Sequence, residues 1–353
     1  MAAARPTLIG PTGVLRRALG RIRGESRAPA ARGLGWDLDA LPHDLADPAL
    51  LDRQARAART LEKVYHRGQE RIWDGRDVLG ELVREVGPVS LPDAERRALQ
   101  RILYLILWGE LAAWRVSADL AAHLDSHESR LAATSQAHDE ARHFYVMYDY
   151  LSLLGERVGP PPAASGRLLQ RVLDADTLAK KLVGMQLLVE PIALTLFALM
   201  RQSAVCPVLS ELLPYYERDE ARHVAVGAHT LPTLVDRMSL IQAAEYWTWQ
   251  ARLFRLEVSG LAELEDDFRT LGFEPREVFR LGQGKQLAAA RLLADELDVQ
   301  TLWPIEALRA VMEFTVVYSF PEAHEPRDPI SRLRAGVRAA LKSEAPEGDL
   351  AVA

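Results

Sequence analysis

From about residue 49 onward, apolar positions recur at three- and four-residue spacing, segment after segment. Ala, Leu, Arg and Glu, all good helix formers, dominate these segments. Runs of Val, Ile and Thr alternating with polar residues do not occur, so the pattern predicts an all-α protein. Breakers punctuate it at Gly87-Pro88, Leu91-Pro92, Pro160-Pro161-Pro162, Leu231-Pro232 and Glu274-Pro275. The spacing predicts four long helices over about 93–124, 126–155, 177–203 and 206–230, with Asp93 and Asp176 as N-caps. Further helices are predicted over about 238–264, 275–296 and 303–318.

The pattern divides the chain into three parts: a leader (1–48), one helical domain (49–342) with its core at about 93–230, and a tail (343–353) expected to be disordered. Residues 1–35 carry seven arginines (Arg5, Arg16, Arg17, Arg21, Arg23, Arg27 and Arg32) against one acid, Glu25, and read as a mobile basic leader. No uninterrupted apolar run of about 18 residues is present, so no membrane span is expected, and the N-terminus lacks the apolar run of a secretory signal. A lone cysteine, Cys206, leaves no internal disulfide and fits a reducing, cytoplasmic setting. The net charge of −6 gives no electrostatic case for nucleic acid.

The chemistry lies in a repeat. Asp-Glu-Ala-Arg-His occurs at 139–143 and again at 219–223, a shift of 80 residues. The same shift overlays two isolated glutamates, because Glu110 stands 30 residues before Glu140 and Glu190 stands 30 before Glu220. A single Glu-x-x-His would mean little in a chain with 27 Glu and 9 His; two inside an identical pentapeptide, each with a matched upstream Glu, mean more. Each half reads as a helical hairpin in which one helix gives a Glu and the next gives Glu-x-x-His. Residues i and i+3 share a helix face, so Glu140 and His143 aim at one point, as do Glu220 and His223.

The flanks argue burial. Ile106-Leu107-Trp108 precede Glu110, and Leu187-Leu188-Val189 precede Glu190. An isolated buried carboxylate costs several kcal/mol, and four anions together would not be tolerated without positive charge among them. Two divalent cations balance four carboxylates. The donors are oxygen and imidazole with no thiolate, which suits iron or manganese better than a structural zinc site. Six metal ligands are therefore expected: Glu110, Glu140, His143, Glu190, Glu220 and His223.

This ligand set resembles that of the ferritin-like di-iron carboxylate superfamily, in which two helices each give a Glu and two others each give Glu-x-x-His. The resemblance covers about 95–230. The Asp-Glu-x-Arg-His form is similar to the oxygen-activating branch, which includes monooxygenase hydroxylases, acyl-carrier-protein desaturases and ribonucleotide reductase small subunits. The chain departs from the reductase pattern at its first ligand, which is Glu110 and not Asp. It departs again four residues later, where Trp114 stands in the region of that family's Tyr, so a radical-storing role is not expected. The resemblance implies a ferritin-like four-helix bundle with extra helices at both ends, binding two Fe ions (or Mn/Fe) and using O2 as co-substrate. It also implies that Asp139 and Asp219 hydrogen-bond the ligand histidines across the two halves.

Arg142, Arg222 and Gln186 join those two aspartates as expected partners of the ligands, with Gln136 and Tyr216 at matching positions one turn before Glu140 and Glu220. Leu107, Trp114, Met147, Leu187, Leu194, Phe197 and Tyr216 fall on inward faces and are the expected walls of a substrate pocket. His229 is the first residue to inspect for a seventh ligand. The expected activity is an O2-dependent oxidase or oxygenase acting on a small organic molecule. Iron handling as a ferroxidase, or a non-enzymatic role as a helical partner of a monooxygenase, are the alternatives. No Gly-rich dinucleotide fingerprint is apparent, so electrons are expected from an external donor; a homodimer is compatible with this reading.

Overall fold

The computed structural model describes residues 48–155, 158–235, 238–297, 305–322, 324–325 and 327–342; the expected leader up to residue 47 and the expected tail lie outside these. Every regular element among the described residues is helical. Helices α1 (Pro48–Glu70) and α2 (Gly75–Val86) precede the two long hairpins. The first hairpin is α3 (Asp93–His123) with α4 (His127–Leu153). A short helix, α5 (Ala163–Leu173), and α6 (Leu178–Gly184) lead through a π-helical turn (Met185–Val189) into α7 (Glu190–Ser203), which pairs with α8 (Pro207–Val235). Then come α9 (Leu240–Ala262), α10 (Glu265–Thr270), α11 (Pro275–Leu297), α12 (Ile305–Ser319) and α13 (Pro329–Lys342).

Three local differences from the expected pattern have physical causes. The third long helix is not continuous. Pro191 has no N–H for the Leu187 carbonyl four residues back, and the Glu190 N–H reaches the Met185 carbonyl five residues back, giving a π-turn. The caps sit one residue away from expectation. Pro92 occupies the cap of α3, and Thr177 caps α6 by accepting from the Lys180 N–H, while Asp176 pairs with the Lys180 ammonium at 2.7 Å. The stretch after Pro160-Pro161-Pro162 is helical, because α5 buries Ala164, Leu168, Leu169 and Val172 on one face.

The long hairpins form a bundle-like core. The α3–α4 pair turns through Ser126, whose hydroxyl accepts from the Ser129 N–H at 3.0 Å. α4 and α8 pack side by side at the centre, α1 and α2 close over them, and α5, α9 and α11 cover the α3 and α7 side. The stretch Leu178–Ser203 is long and apolar enough to cross a membrane, but 72% of its most apolar window is buried inside the fold. Gln186 and Glu190 interrupt its apolar run, and its burial makes it a core helix.

Two glycines permit close approaches that matter below. A Cβ at Gly227 on α8 would lie 2.6 Å from the Gln186 Cβ in the π-turn. A Cβ at Gly260 on α9 would lie 2.1 Å from Ser165 Oγ on α5.

Candidate metal centre

The four core segments bring all six expected donors into one buried place. Glu110 comes from the middle of α3, Glu140 and His143 from α4, Glu190 from the first turn of α7, and Glu220 and His223 from α8. None is more than 4% exposed. Their donor atoms fall into two sets: Glu110, Glu140, His143 and Glu220 form one, and Glu140, Glu190, Glu220 and His223 form the other. Within each set the atoms lie within 4.8 Å of one another, and Glu140 and Glu220 belong to both.

His143 Nδ1 stands 3.0 Å from Glu220 Oε1 and 3.3 Å from Glu110 Oε2. His223 Nδ1 stands 2.9 Å from Glu140 Oε1 and 3.2 Å from Glu220 Oε2. Yet His143 Nδ1, Glu140 Oε2, Glu190 Oε2 and Glu220 Oε1 are buried with no hydrogen-bond partner among the described residues. His223 Nδ1 and Glu220 Oε2 are in hydrogen-bond geometry, but the four orphaned atoms are not, and they are aimed at a shared point. Such orphans are rare in native interiors, and a cation between them satisfies the whole group. The buried Glu/His sets can therefore hold metal.

The electrostatics agree. Burial, reinforced by the neighbouring carboxylates, pushes Glu110 and Glu190 well above the usual carboxylate range. Burial also pushes Glu140 up, but the imidazoles of His223 and His143 outweigh it and hold Glu140 low. Both histidines are raised well above their ordinary value: burial opposes this, and the surrounding carboxylates win. Without metal, protons supply the missing positive charge. With metal, cations do, and the ligands act in their deprotonated forms.

Outside the donors the two halves are cross-braced. Asp219 accepts from Trp73 Nε1 at 2.8 Å and lies 3.2 Å from His143 Nε2. Asp139 lies 3.4 Å from His223 Nε2. Each aspartate of one half thus faces the histidine of the other, as expected, and fixes which ring nitrogen faces the centre. Arg142 pairs with Asp139 and reaches Asp219 at 2.9 Å; Arg222 reaches Asp139 at 2.9 Å and Asp219 at 2.8 Å. These four charges are buried and mutually paired. Although burial alone would raise both aspartates, the bonds to imidazole and guanidinium keep them strongly acidic.

Gln136 is the amide that touches the donors: its Nε2 donates to Glu190 at 2.6 Å and to Glu140 at 3.2 Å. Gln186 stands one step further out, donating to Gln136 Oε1 at 3.3 Å. Tyr216 stacks on the His143 ring at 4.4 Å between centroids and donates to the His143 carbonyl at 2.8 Å. His229 belongs to neither donor set among the described residues.

An apolar cavity opens onto Glu110, Glu140, Glu190 and Glu220. Its hydrocarbon walls include Leu105, Ile106, Leu168, Leu169, Val189 and Leu196. The expected pocket residues do not line it. Leu107, Met147, Phe197 and Tyr216 are packed in one apolar core, and Leu187 and Leu194 in another. Trp114 packs against Phe144 and Tyr145. The reason is angular. At about 100° per residue, Leu107 and Trp114 lie about 60° and 40° to one side of Glu110, and Ile106 and Ala113 lie at similar angles on the other. Periodicity places all of them near the ligand face but does not say which flank is open.

Sequence reasoning missed Trp73, which lies outside the repeat and carries no periodic signal. It also missed Glu257 and Gln286, which stand at the same cavity and beside the π-turn. Glu257 had a signal, because it sits in the apolar run Leu253-Phe254-Arg255-Leu256-Glu257-Val258, the same context that marked Glu110. No protein-family model matches the chain, and no curated protein matches it; its site is read from its own geometry.

Proposed function

We propose that this chain is an O2-dependent di-iron oxidase or oxygenase of the ferritin-like type, acting on a small organic substrate and drawing electrons from an external donor. The observation that carries the reading is that two four-donor sets share Glu140 and Glu220, which is the arrangement two adjacent cations bridged by carboxylates require. The all-oxygen and imidazole donor set favours iron or an Mn/Fe pair. Bound iron would supply O2 activation and the oxidising power for the substrate.

The chain's own part is fixed geometry and exclusion of water. Glu110, Glu140 and His143 with Glu220 would hold one ion; Glu190, Glu140 and His223 with Glu220 would hold the other. Asp219 and Asp139 hold the two imidazoles in register, so little reorganisation accompanies a change in metal charge. Gln136 restrains Glu190 and Glu140. The cavity gives an apolar molecule a dry place beside four ligand carboxylates. The helices α5, α9 and α11 that enclose this side favour a bound substrate over open iron traffic.

The test is oxygen uptake by the iron(II)-loaded protein. An oxidase or oxygenase consumes O2 in proportion to an added organic substrate. Uptake that stops once the iron has been oxidised indicates iron handling, and iron-loaded protein that takes up no O2 contradicts the proposal.

A further inference from the structure

We propose that the cavity beside the donor sets takes an otherwise apolar molecule bearing one neutral hydrogen-bond acceptor, a hydroxyl or carbonyl oxygen, and that Glu257 is the residue that holds it. This deepens the oxygenase reading and rests on it for the word substrate; the binding itself does not.

Glu257 is 6% exposed and lines the same cavity as Glu110, Glu140, Glu190 and Glu220. It belongs to neither donor set. Gln286 on α11 fixes one side of its carboxyl. The Gln286 Nε2 donates to Glu257 Oε1 at 2.9 Å and to the Leu188 carbonyl at 3.1 Å, so both of its amide protons are used. The π-turn is the source of that carbonyl, so Gln286 ties α11 to the π-turn and, through its bond to Glu257, to α9. The other carboxyl oxygen, Glu257 Oε2, is buried with no hydrogen-bond partner among the described residues.

A buried polar atom left unsatisfied is destabilising. A leucine here would simply extend the apolar wall. The carboxyl therefore fits a group that arrives with a ligand.

The chemistry of that group follows from the surroundings. Among the described residues no Lys or Arg lines the cavity, and burial pushes the Glu257 carboxyl up to about 8, despite the Gln286 bond. The carboxyl is accordingly neutral at pH 7. Gln286 occupies Oε1, so Oε2 carries the proton and donates. The partner must be an acceptor. An anionic ligand would meet the ligand carboxylates, and a cationic one would require two ions to be desolvated in an apolar pocket. A pure hydrocarbon leaves Oε2 unpaired. Leu105, Ile106, Leu168, Leu169 and Leu196 then hold the apolar body between Glu257 and the donor sets.

The experiment is calorimetric titration of the full-length metal-loaded protein, under anaerobic conditions, with benzyl alcohol, toluene and benzylamine as probes. Metal content is measured on the same samples. The affinity ratio of benzyl alcohol to toluene falls about tenfold in Glu257→Leu, one hydrogen bond's worth. It stays within about twofold in Glu257→Gln, whose amide can donate in the same place, and benzylamine binds more weakly than the alcohol. Should Glu257→Leu fail to fold in a thermal melt, Glu257→Met carries the same expectation.

An unchanged ratio in the apolar variants, no binding of benzyl alcohol to the parent protein, or benzylamine as the tightest ligand overturns the proposal. Loss of selectivity with metal content intact belongs to Glu257. Absent metal with selectivity preserved contradicts the metal reading and leaves this one standing.

Discussion

Glu140 and Glu220 belong to both donor sets, whereas Glu110, His143, Glu190 and His223 each belong to one. The four replacements Glu110→Ala, His143→Ala, Glu190→Ala and His223→Ala are therefore expected to reduce bound metal from about two ions per chain to about one. Glu140→Ala or Glu220→Ala reduces it toward zero, as elemental analysis of purified protein will show. Metal uptake also carries a pH signature. Burial and the neighbouring carboxylates raise Glu110 and Glu190, and the surrounding carboxylates raise His143 and His223, so in the metal-free protein all four keep their protons to higher pH than free side chains do, protons that the ligand forms lack. Binding releases those protons, and affinity rises with pH through the neutral range. Titration calorimetry in buffers of different ionisation enthalpy measures the release; an affinity flat in pH contradicts it. The six donors were legible in the sequence because two coincidences, an i,i+3 spacing and a repeated 80-residue shift, select them jointly. The pocket residues were not, because Leu107 and Ile106 stand at similar angles on opposite sides of Glu110, and only the packing of α5 and α9 shows which side stays open.

At the scale of elements, the site depends on two close approaches, one at Gly260 between α9 and α5 and one at Gly227. Gly227 lets α8 lie against the π-turn that carries Gln186 and leads into Glu190. Gly227→Ala forces the Gln186 side chain or the turn to move, and is expected to destabilise the protein by about 1–3 kcal/mol in denaturant unfolding, as overpacked cores do. A midpoint within error of the parent's would show that the turn gives way freely. The long helices were readable from apolar spacing, and so were most of their ends; the exception is α8, which runs through the expected breaker at Leu231-Pro232 to Val235. The π-turn was not, since it arises from one missing donor at Pro191, which the surrounding apolar run conceals. α5 was passed over for a similar reason. Three prolines announce a loop, but they only start the helix that follows, whose face of Ala164, Leu168, Leu169 and Val172 then completes the cavity side of the fold. The Asp–Arg braces were half legible. Their positions follow from the repeat and the aspartate crossings from the family resemblance, but that Arg142 and Arg222 also reach the opposite half is a property of how α4 and α8 meet.

For the whole molecule, the centre is a charge problem solved by enclosure. Two hairpins bring six ionisable donors into an apolar interior, and α1, α2, α5, α9 and α11 close water out. A fold arranged this way is expected to lean on its cations. Stripping the metal with a chelator should lower the melting temperature, and a free metal concentration a thousandfold above the dissociation constant should restore about 4 kcal/mol. A melting temperature indifferent to chelation would mean that protons alone hold the cluster together. The account is tested most directly by X-ray diffraction from iron-loaded crystals, collected on both sides of the iron absorption edge. Two anomalous peaks about 3.5–4 Å apart, each touching Glu140 and Glu220, are predicted; a single peak, or iron bound anywhere but among these six side chains, would contradict it.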